Sequence, residues 1–325
     1  MFKISKRALL TGAVAALLGA GPANAADPFP TRPIRLVVPF PPGGTSDTVA
    51  RVLANGLREK LGQPVVVENR GGGGTIIGTD IVAKSPADGY TLLWMTTPFA
   101  INETLLKQRP YNTFKDFTPV IDVISVPLVM IVNPASPAKS VADLIQMAKK
   151  APGKLSYGSS GNGGSPHLAM EMFKSMAGVY INHIPYKGSA PSVMDLVAGQ
   201  TDVVIDTLFL TQPQIAGGKA RALAQTGATR SKAMPDVPTM SEAGLAGYEA
   251  TSWLSVAAPS GTPADVIARL NAASNEVLQS AAVRDSFVAQ GLEIHGGTPQ
   301  DSAKHLQAEV VRWGKVVKSS GAKPE

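Results

Sequence analysis

The chain has no cysteine, which excludes disulfides, thiolate catalysis and anchoring through an N-terminal thioether. Aromatic residues make up only 6 % of it and there is no long Lys/Arg run. It therefore lacks both the stacking platform and the basic stripe that a nucleic-acid surface needs. Its four histidines are dispersed, and no third ligand stands beside His167 and His183 to make a metal site. His167 is expected to pack on its own helix, and no cofactor or metal is expected. Past residue 25 no segment has the run of about 18 apolar residues that a spanning helix requires.

What is present at the N-terminus is an export signal. Lys3, Lys6 and Arg7 precede an apolar stretch from Ala8 to Ala20, and Ala23-Asn24-Ala25 is a small-x-small cleavage site. Residues 1–25 are read as a cleaved signal peptide and Ala26 as the mature N-terminus. Removing them takes three of the 30 basic residues and none of the 24 acidic ones, which leaves a mild +3. An exported chain without cysteine suits the bacterial periplasm, provided its core is large enough to do without disulfides. About 300 residues remain, enough for two cores.

Strands and helices alternate throughout. Ile34–Phe40 is an apolar, β-branched run without polar alternation, as expected of a strand buried on both faces. A helix is predicted from Asp47 to Leu61, where Val49, Val52, Leu53, Leu57 and Leu61 recur at helical spacing. Strands at Val65–Val67 and Thr91–Met95, with a short helix from Ile76 to Ala83, complete a βαβαβ unit and hence a parallel sheet. Val120 to Val132 is a long apolar strand interrupted by Pro127, a candidate crossover between two domains. Further strands are predicted at Leu155–Tyr157, Ile181–Ile184, Val203–Asp206 and Ala250–Ala257. Ala220–Gln225 is a candidate return crossing. The fold class is α/β, with one lobe from residues 26–125 plus 225–325 and an inserted lobe from 126–224. Two crossing strands would form a hinge.

Two loops carry the functional signal. In Pro39-Phe40-Pro41-Pro42-Gly43-Gly44-Thr45-Ser46-Asp47 a buried strand stops at prolines, turns on glycines and opens a helix. Ser156-Tyr157-Gly158-Ser159-Ser160-Gly161-Asn162-Gly163-Gly164-Ser165-Pro166 repeats that grammar. Such turns leave backbone N–H groups unpaired at a helix start, where the dipole favours an anion. Gly43 and Gly44 permit close backbone approach and positive φ. Thr45, Ser46, Ser159, Ser160, Asn162 and Ser165 add neutral donors, and Asp47 occupies the position expected of a helix N-cap that fixes the loop. Thr96, Thr97, Pro98, Tyr186, Lys187, Asp206 and Thr207 follow strands, and so meet the crevice at strand C-termini. Lys187 could pair with a distal carboxylate, and Asp206 would suit a ligand amino or hydroxyl group. Phe99 and Phe209 could stack on an aromatic ligand, although aromatics near strand ends belong more often to the core. No nucleophile–base pair is legible at either loop. Gly158-Ser159-Ser160-Gly161-Asn162 fails the G-x-S-x-G elbow at its last position.

These motifs, in this order, resemble those of the Bug family of solute receptors, the substrate-binding subunits of tripartite tricarboxylate transporters. Besides the two loops, the likeness rests on Val66-Val67-Glu68-Asn69-Arg70, Ser85-Pro86-Ala87-Asp88-Gly89-Tyr90-Thr91-Leu92, Pro185-Tyr186-Lys187-Gly188 and Met234-Pro235-Asp236-Val237-Pro238-Thr239. One departure is Gly71-Gly72-Gly73-Gly74 after Arg70, where the family commonly has proline. The resemblance implies a type II periplasmic binding protein, two α/β lobes joined by crossing strands with a ligand cleft between them. It implies a carboxylated metabolite or aromatic carboxylate held by Pro42 to Asp47, partly through water, against Ser159 to Ser165 of the other lobe. It also implies a monomer that delivers ligand to membrane transporter subunits or a sensor protein. The competing readings are a two-lobed hydrolase or isomerase acting on a carboxylate, which would need a nucleophile–base pair at the cleft, and a scaffold protein, which would need a large exposed apolar patch.

Overall fold

A computed structural model of the chain describes residues 29–320 and 322–323. The expected signal peptide and its cleavage site lie outside the described residues. Strand β1 (Ile34–Val38) pairs in parallel with β2 (Val65–Asn69) on one side and β3 (Thr91–Thr96) on the other. Helices α1 (Thr45–Leu61) and α2 (Ile76–Ala83) connect them, and α3 (Thr97–Leu105) follows β3 directly. Both faces of this sheet are covered. Leu36, Val38, Leu92 and Trp94 pack in one apolar cluster with Leu53 and Leu57 of α1. Val37, Leu93 and Met95 pack in the other with Phe99 and Ile101 of α3. That double burial explains the unbroken apolar run that marked β1.

Strand β4 (Phe117–Val132) is the long element shared by both halves of the molecule. From Phe117 to Pro127 it pairs antiparallel with β9 (Thr251–Pro259), which also pairs with β3. From Leu128 to Val132 it pairs instead with β7 (Val203–Thr207) and β8 (Arg221–Gln225). The switch falls at Pro127, whose missing N–H ends one ladder. Beyond β7, β5 (Ser156–Ser159) and β6 (Asn182–Pro185) extend the second half in parallel. Its helices are α4 (Val141–Lys150), α5 (Ser165–Ala177), α6 (Ser189–Val197) and α7 (Leu208–Ala216). The chain returns through Thr226, whose hydroxyl accepts from Leu128 N at 2.8 Å and donates to Ala250 O at 2.5 Å. The return therefore follows β8, which itself pairs within the second half. Helices α8 (Ala264–Gln279), α9 (Ala281–Ala289) and α10 (Pro299–Ser320), with the short strand β10 (Glu293–Gly296) on β4, complete the first half.

Among the described residues no helix is long and apolar enough to cross a membrane. Two polar clusters brace α10 against the sheet. Asp122 accepts from Ser255 Oγ at 2.6 Å and Ser302 Oγ at 2.8 Å and faces His305 Nδ1 at 3.0 Å. Glu309 accepts from both Trp253 Nε1 and Trp313 Nε1, at 2.7 and 2.8 Å.

Candidate functional site

The first loop is held from behind. Gly43 has φ +90°, a conformation that side chains avoid, and its N–H donates to Asp47 Oδ2 at 3.0 Å. Asp47 Oδ1 accepts from Arg51 Nε and Asn69 Nδ2, and Asn69 also donates to Phe40 O. Helix α1 begins at Thr45 with Gly44 as its cap. Asp47 is thus the third residue of the helix rather than its N-cap, yet it pins the turn as a cap would. Burial opposes its charge, but the Arg51, Gly43 and Asn69 hydrogen bonds outweigh that and hold its carboxyl below the ordinary range.

The second loop is braced by two stacked histidines. His167 Nδ1 accepts from Gly163 N at 3.1 Å, and the His167 and His183 rings lie 4.4 Å apart, with His183 stacked on Tyr157 at 4.6 Å. His183 Nε2 lies 2.6 Å from Ser159 Oγ. A serine–histidine pair therefore does exist at this loop, contrary to the sequence reading. Parallel pairing of β5 with β6 makes it, because it sets Tyr157 opposite His183. Ser159 has no exposed surface. Burial pushes His183 down to about 3 and His167 to about 4, so both are neutral near pH 7, and His183 is too weak a base for that range.

The two halves meet around a pair of adjoining cavities. Thr45 Oγ1 of the first half lies 2.7 Å from Thr207 Oγ1 of the second, and Ser165 Oγ donates to Ser252 Oγ at 3.2 Å. The inner cavity, about 90 Å³, is lined by Phe40, Pro42, Gly44, Thr45, Ser46, Thr96, Pro98, Ser160, Ser165, Lys187, Ser189 and Thr207, among others. The outer one, about 600 Å³, lies between Gly71–Thr75 on one side and Ser160–Asn162, Gly164 and Pro185–Gly188 on the other. Thr75 there has φ 82°, a strained value for a β-branched residue, held by Asn102 Nδ2 on Gly74 O at 2.8 Å.

Of the residues expected at the site, Pro42, Gly44, Thr45, Ser46, Thr96, Ser160, Ser165 and Lys187 line the inner cavity. Gly161, Asn162, Gly164 and Tyr186 line the outer one, which Ser160 and Lys187 share. Tyr186 turns its hydroxyl away, donating to Asp195 at 2.6 Å. The others stand behind the walls. Gly43 and Asp47 shape the first loop, and Ser159 and Gly163 are consumed by His183 and His167. Thr97 Oγ1 accepts from Trp253 N. Asp206 is fully buried and accepts from Thr207 N at 2.7 Å. Phe99 is a core residue packed on Phe117 and Tyr111.

Sequence reasoning missed Ser189 to Pro191, Ser252, Leu254, Val126 and the Gly71–Thr75 loop as wall residues. Gly188-Ser189-Ala190-Pro191 carried a usable signal, since proline favours a first helical turn. The starts of α1, α3, α5, α6 and α7 all reach the inner cavity. Each contributes roughly half a positive charge of dipole and unpaired N–H groups. No Asp or Glu of the described residues lines this cavity, and Lys187 is its one charged residue. Ser46 Oγ and Thr96 Oγ1 are buried there without a hydrogen-bond partner among the described residues. Removing a hydroxyl from water without a partner is costly, so such groups await one.

A mixed sheet in two halves, crossed by β4 and by the return at Thr226, with a cavity at converging helix starts, defines a solute-binding receptor of the periplasmic binding protein fold. The chain belongs to the Bug, or TctC, family: the model of the "Tripartite tricarboxylate transporter family receptor" matches residues 49–322. The protein BugT of Bordetella pertussis is 44 % identical over 300 residues, spanning 92 % of this chain and 92 % of that one. The solved structure of R. palustris Rpa4515 with adipate is 42 % identical with a TM-score of 0.88, covering 91 % of this chain and 100 % of the other. MatC from Rhodopseudomonas palustris with bound malate is 31 % identical with a TM-score of 0.85, over 89 % and 100 %.

Proposed function

We propose that the protein is a periplasmic receptor that traps a small organic carboxylate in the inner cavity and passes it to the membrane subunits of a tripartite transporter or to a sensor protein. One observation carries this reading. Two buried, unpartnered hydroxyls, Ser46 and Thr96, stand in a carboxylate-free cavity at the starts of five helices. Hydrogen bonds to a charged acceptor contribute about 1.5–3 kcal/mol each, so a few suffice for micromolar capture at about −8 kcal/mol. The relatives bound to adipate and malate support the same ligand class. Lys187 lines both cavities, which supports a pairing with a second carboxylate.

The lobes divide as 26–125 plus 225–325 and 126–224, a division supported by the change of β4 partners at Pro127 and Leu128. The chain reaches the periplasm through its signal peptide and acts as a monomer. It is not an enzyme: the Ser159–His183 pair stands behind the cavity wall, with a histidine too weakly basic to activate the serine. The test is titration calorimetry with adipate, malate and benzoate, with each ligand followed by NMR for turnover. Binding without conversion is expected. Conversion of a bound carboxylate would reverse the reading.

A further inference from the structure

The inner cavity, about 90 Å³, falls short of the roughly 300–1,000 Å³ of an ordinary small-molecule site. It accommodates the carboxylate end of a ligand and few atoms beyond it. The outer cavity, about 600 Å³, supplies the missing space. The two are continuous, because Phe40, Pro41, Pro98, Ser160, Lys187 and Gly188 line both. A ligand held at Ser46 and Thr96 can therefore extend past Lys187 into the outer cavity.

The halves approach each other around this space. A Cβ built on Gly188 would meet Pro41 Cγ at 3.9 Å, and one built on Gly74 would meet Asn162 O at 3.5 Å. The Gly71–Thr75 loop makes the first-half wall. Gly71 lies against the first loop, where a Cβ would stand 3.2 Å from Pro41 N. Gly72, Gly73, Gly74 and Thr75 then take four successive positive φ values, 125°, 55°, 59° and 82°. Asn102 Nδ2 holds this curl by donating to Gly74 O at 2.8 Å, and Thr79 Oγ1 by donating to Thr75 O at 2.9 Å. A threonine kept in that conformation marks a path that packing imposes against local preference. From Gly71 to Gly74 the loop presents no side chain, which leaves the cavity wide.

The chemistry of the other walls narrows the occupant. Phe40, Pro41 and Pro98 are joined by Pro39, Pro185 and Tyr186, whose hydroxyl is engaged by Asp195. Among the described residues no Asp or Glu lines either cavity. An ammonium group placed there would face Lys187 with no anion to pair it. Building on the carboxylate reading above, we propose that the outer cavity is a second subsite, which holds an uncharged, apolar tail of the captured carboxylate, and that Gly74 sets the bulk of tail admitted. The favoured ligands are then carboxylates carrying an acyl chain or an aryl ring, and a tail that ends in an ammonium group is rejected.

The experiment is titration calorimetry near neutral pH with butyrate, hexanoate, octanoate, 3-phenylpropanoate and 6-aminohexanoate, on wild type, Gly74→Asn and Asn162→Phe, with thermal unfolding of each protein. Gly74 has φ 59° and ψ 40°, left-handed values that asparagine tolerates, so Gly74→Asn adds a side chain facing Asn162. Asn162→Phe narrows the same gap from the opposite loop. Wild type is expected to gain about fourfold in affinity for each added methylene and to prefer 3-phenylpropanoate to butyrate. It is expected to bind 6-aminohexanoate about tenfold more weakly than hexanoate, or worse. In the variants the octanoate-to-butyrate affinity ratio should fall about tenfold, the loss of between one and two buried methylenes. Butyrate bound by wild type without a gain along the series, or 6-aminohexanoate bound as tightly as hexanoate, would overturn the tail subsite and leave the carboxylate reading standing. Ratios equal to wild type in both variants would overturn the role given to Gly74. Absence of binding by every probe would overturn the carboxylate reading together with the subsite.

Discussion

Gly44→Val separates the site from the fold. Gly44 has φ −89° and ψ 174°, an extended conformation that valine adopts without strain. A Cβ built there meets nothing within 4 Å, and Gly44 lines the inner cavity. Its carbonyl bond from Thr48 N, at 3.0 Å, does not involve a side chain. Stability should therefore fall by about 1 kcal/mol at most, the cost of replacing a glycine cap by valine. Binding should not survive so well. An isopropyl group in a cavity of about 90 Å³ displaces the ligand from Ser46 and Thr96. Losing one or two hydrogen bonds to a charged group costs about 3 kcal/mol, or about 100-fold in affinity. Gly43→Ala is the contrasting variant. Its φ of +90° would strain the backbone by about 1–2 kcal/mol, so it should lose stability as well. Thermal unfolding and calorimetry on the same samples read both quantities. A folded Gly44→Val protein with wild-type affinity would refute the placement of the ligand.

Ser46→Ala and Thr96→Val remove hydroxyls that have no hydrogen-bond partner among the described residues. Each should leave the melting temperature unchanged or slightly raised while weakening carboxylate binding about tenfold or more, and a large loss of stability would mean that hidden partners exist. Thr226→Val should destabilise by about 2–4 kcal/mol, because Leu128 N and Ala250 O lose their partner where the strands cross. Denaturant unfolding that matches wild type would contradict that role. His305→Gln should cost about 1–2 kcal/mol near pH 5–6, with the deficit shrinking as pH rises. Burial opposes the charge on both partners, but their contact holds His305 above its ordinary 6.5 and Asp122 below its ordinary 3.8. The histidine contribution is complete below 6.5 and fades as pH rises through its higher folded value; the aspartate contribution fades as pH falls through its lower one. A deficit that grows with pH would show the sign to be wrong.

Legibility in the sequence followed the strength of local patterns. The β1 run and α1 were readable because double burial gives an unbroken apolar strand and one-sided burial gives a helical stripe. Helix α3 was not, since Thr97 to Asn102 are all buried and leave no polar face to set a period. Helix α7 hides behind an internal Pro213, and β10 is a short strand without an apolar run. At the site, glycine and serine content marked both loops as candidate anion cradles. It could not reveal which residue of a neighbouring pair faces inward: Thr96 lines the cavity while Thr97 holds Trp253, and Ser160 lines it while Ser159 meets His183. Those choices depend on strand pairings between distant segments, as does the approach of His183 to Ser159. The four-glycine loop was visible but unassigned, because only packing of Gly74 beside Asn102 and Asn162 carries it to the cleft.

The most direct measurement is a crystal structure of the protein grown with the carboxylate that binds best in calorimetry. The account predicts density for a carboxylate in the inner cavity, within hydrogen-bond reach of Ser46 Oγ and Thr96 Oγ1 directly or through one water. A carboxylate bound elsewhere, with both hydroxyls still unpartnered, would contradict it.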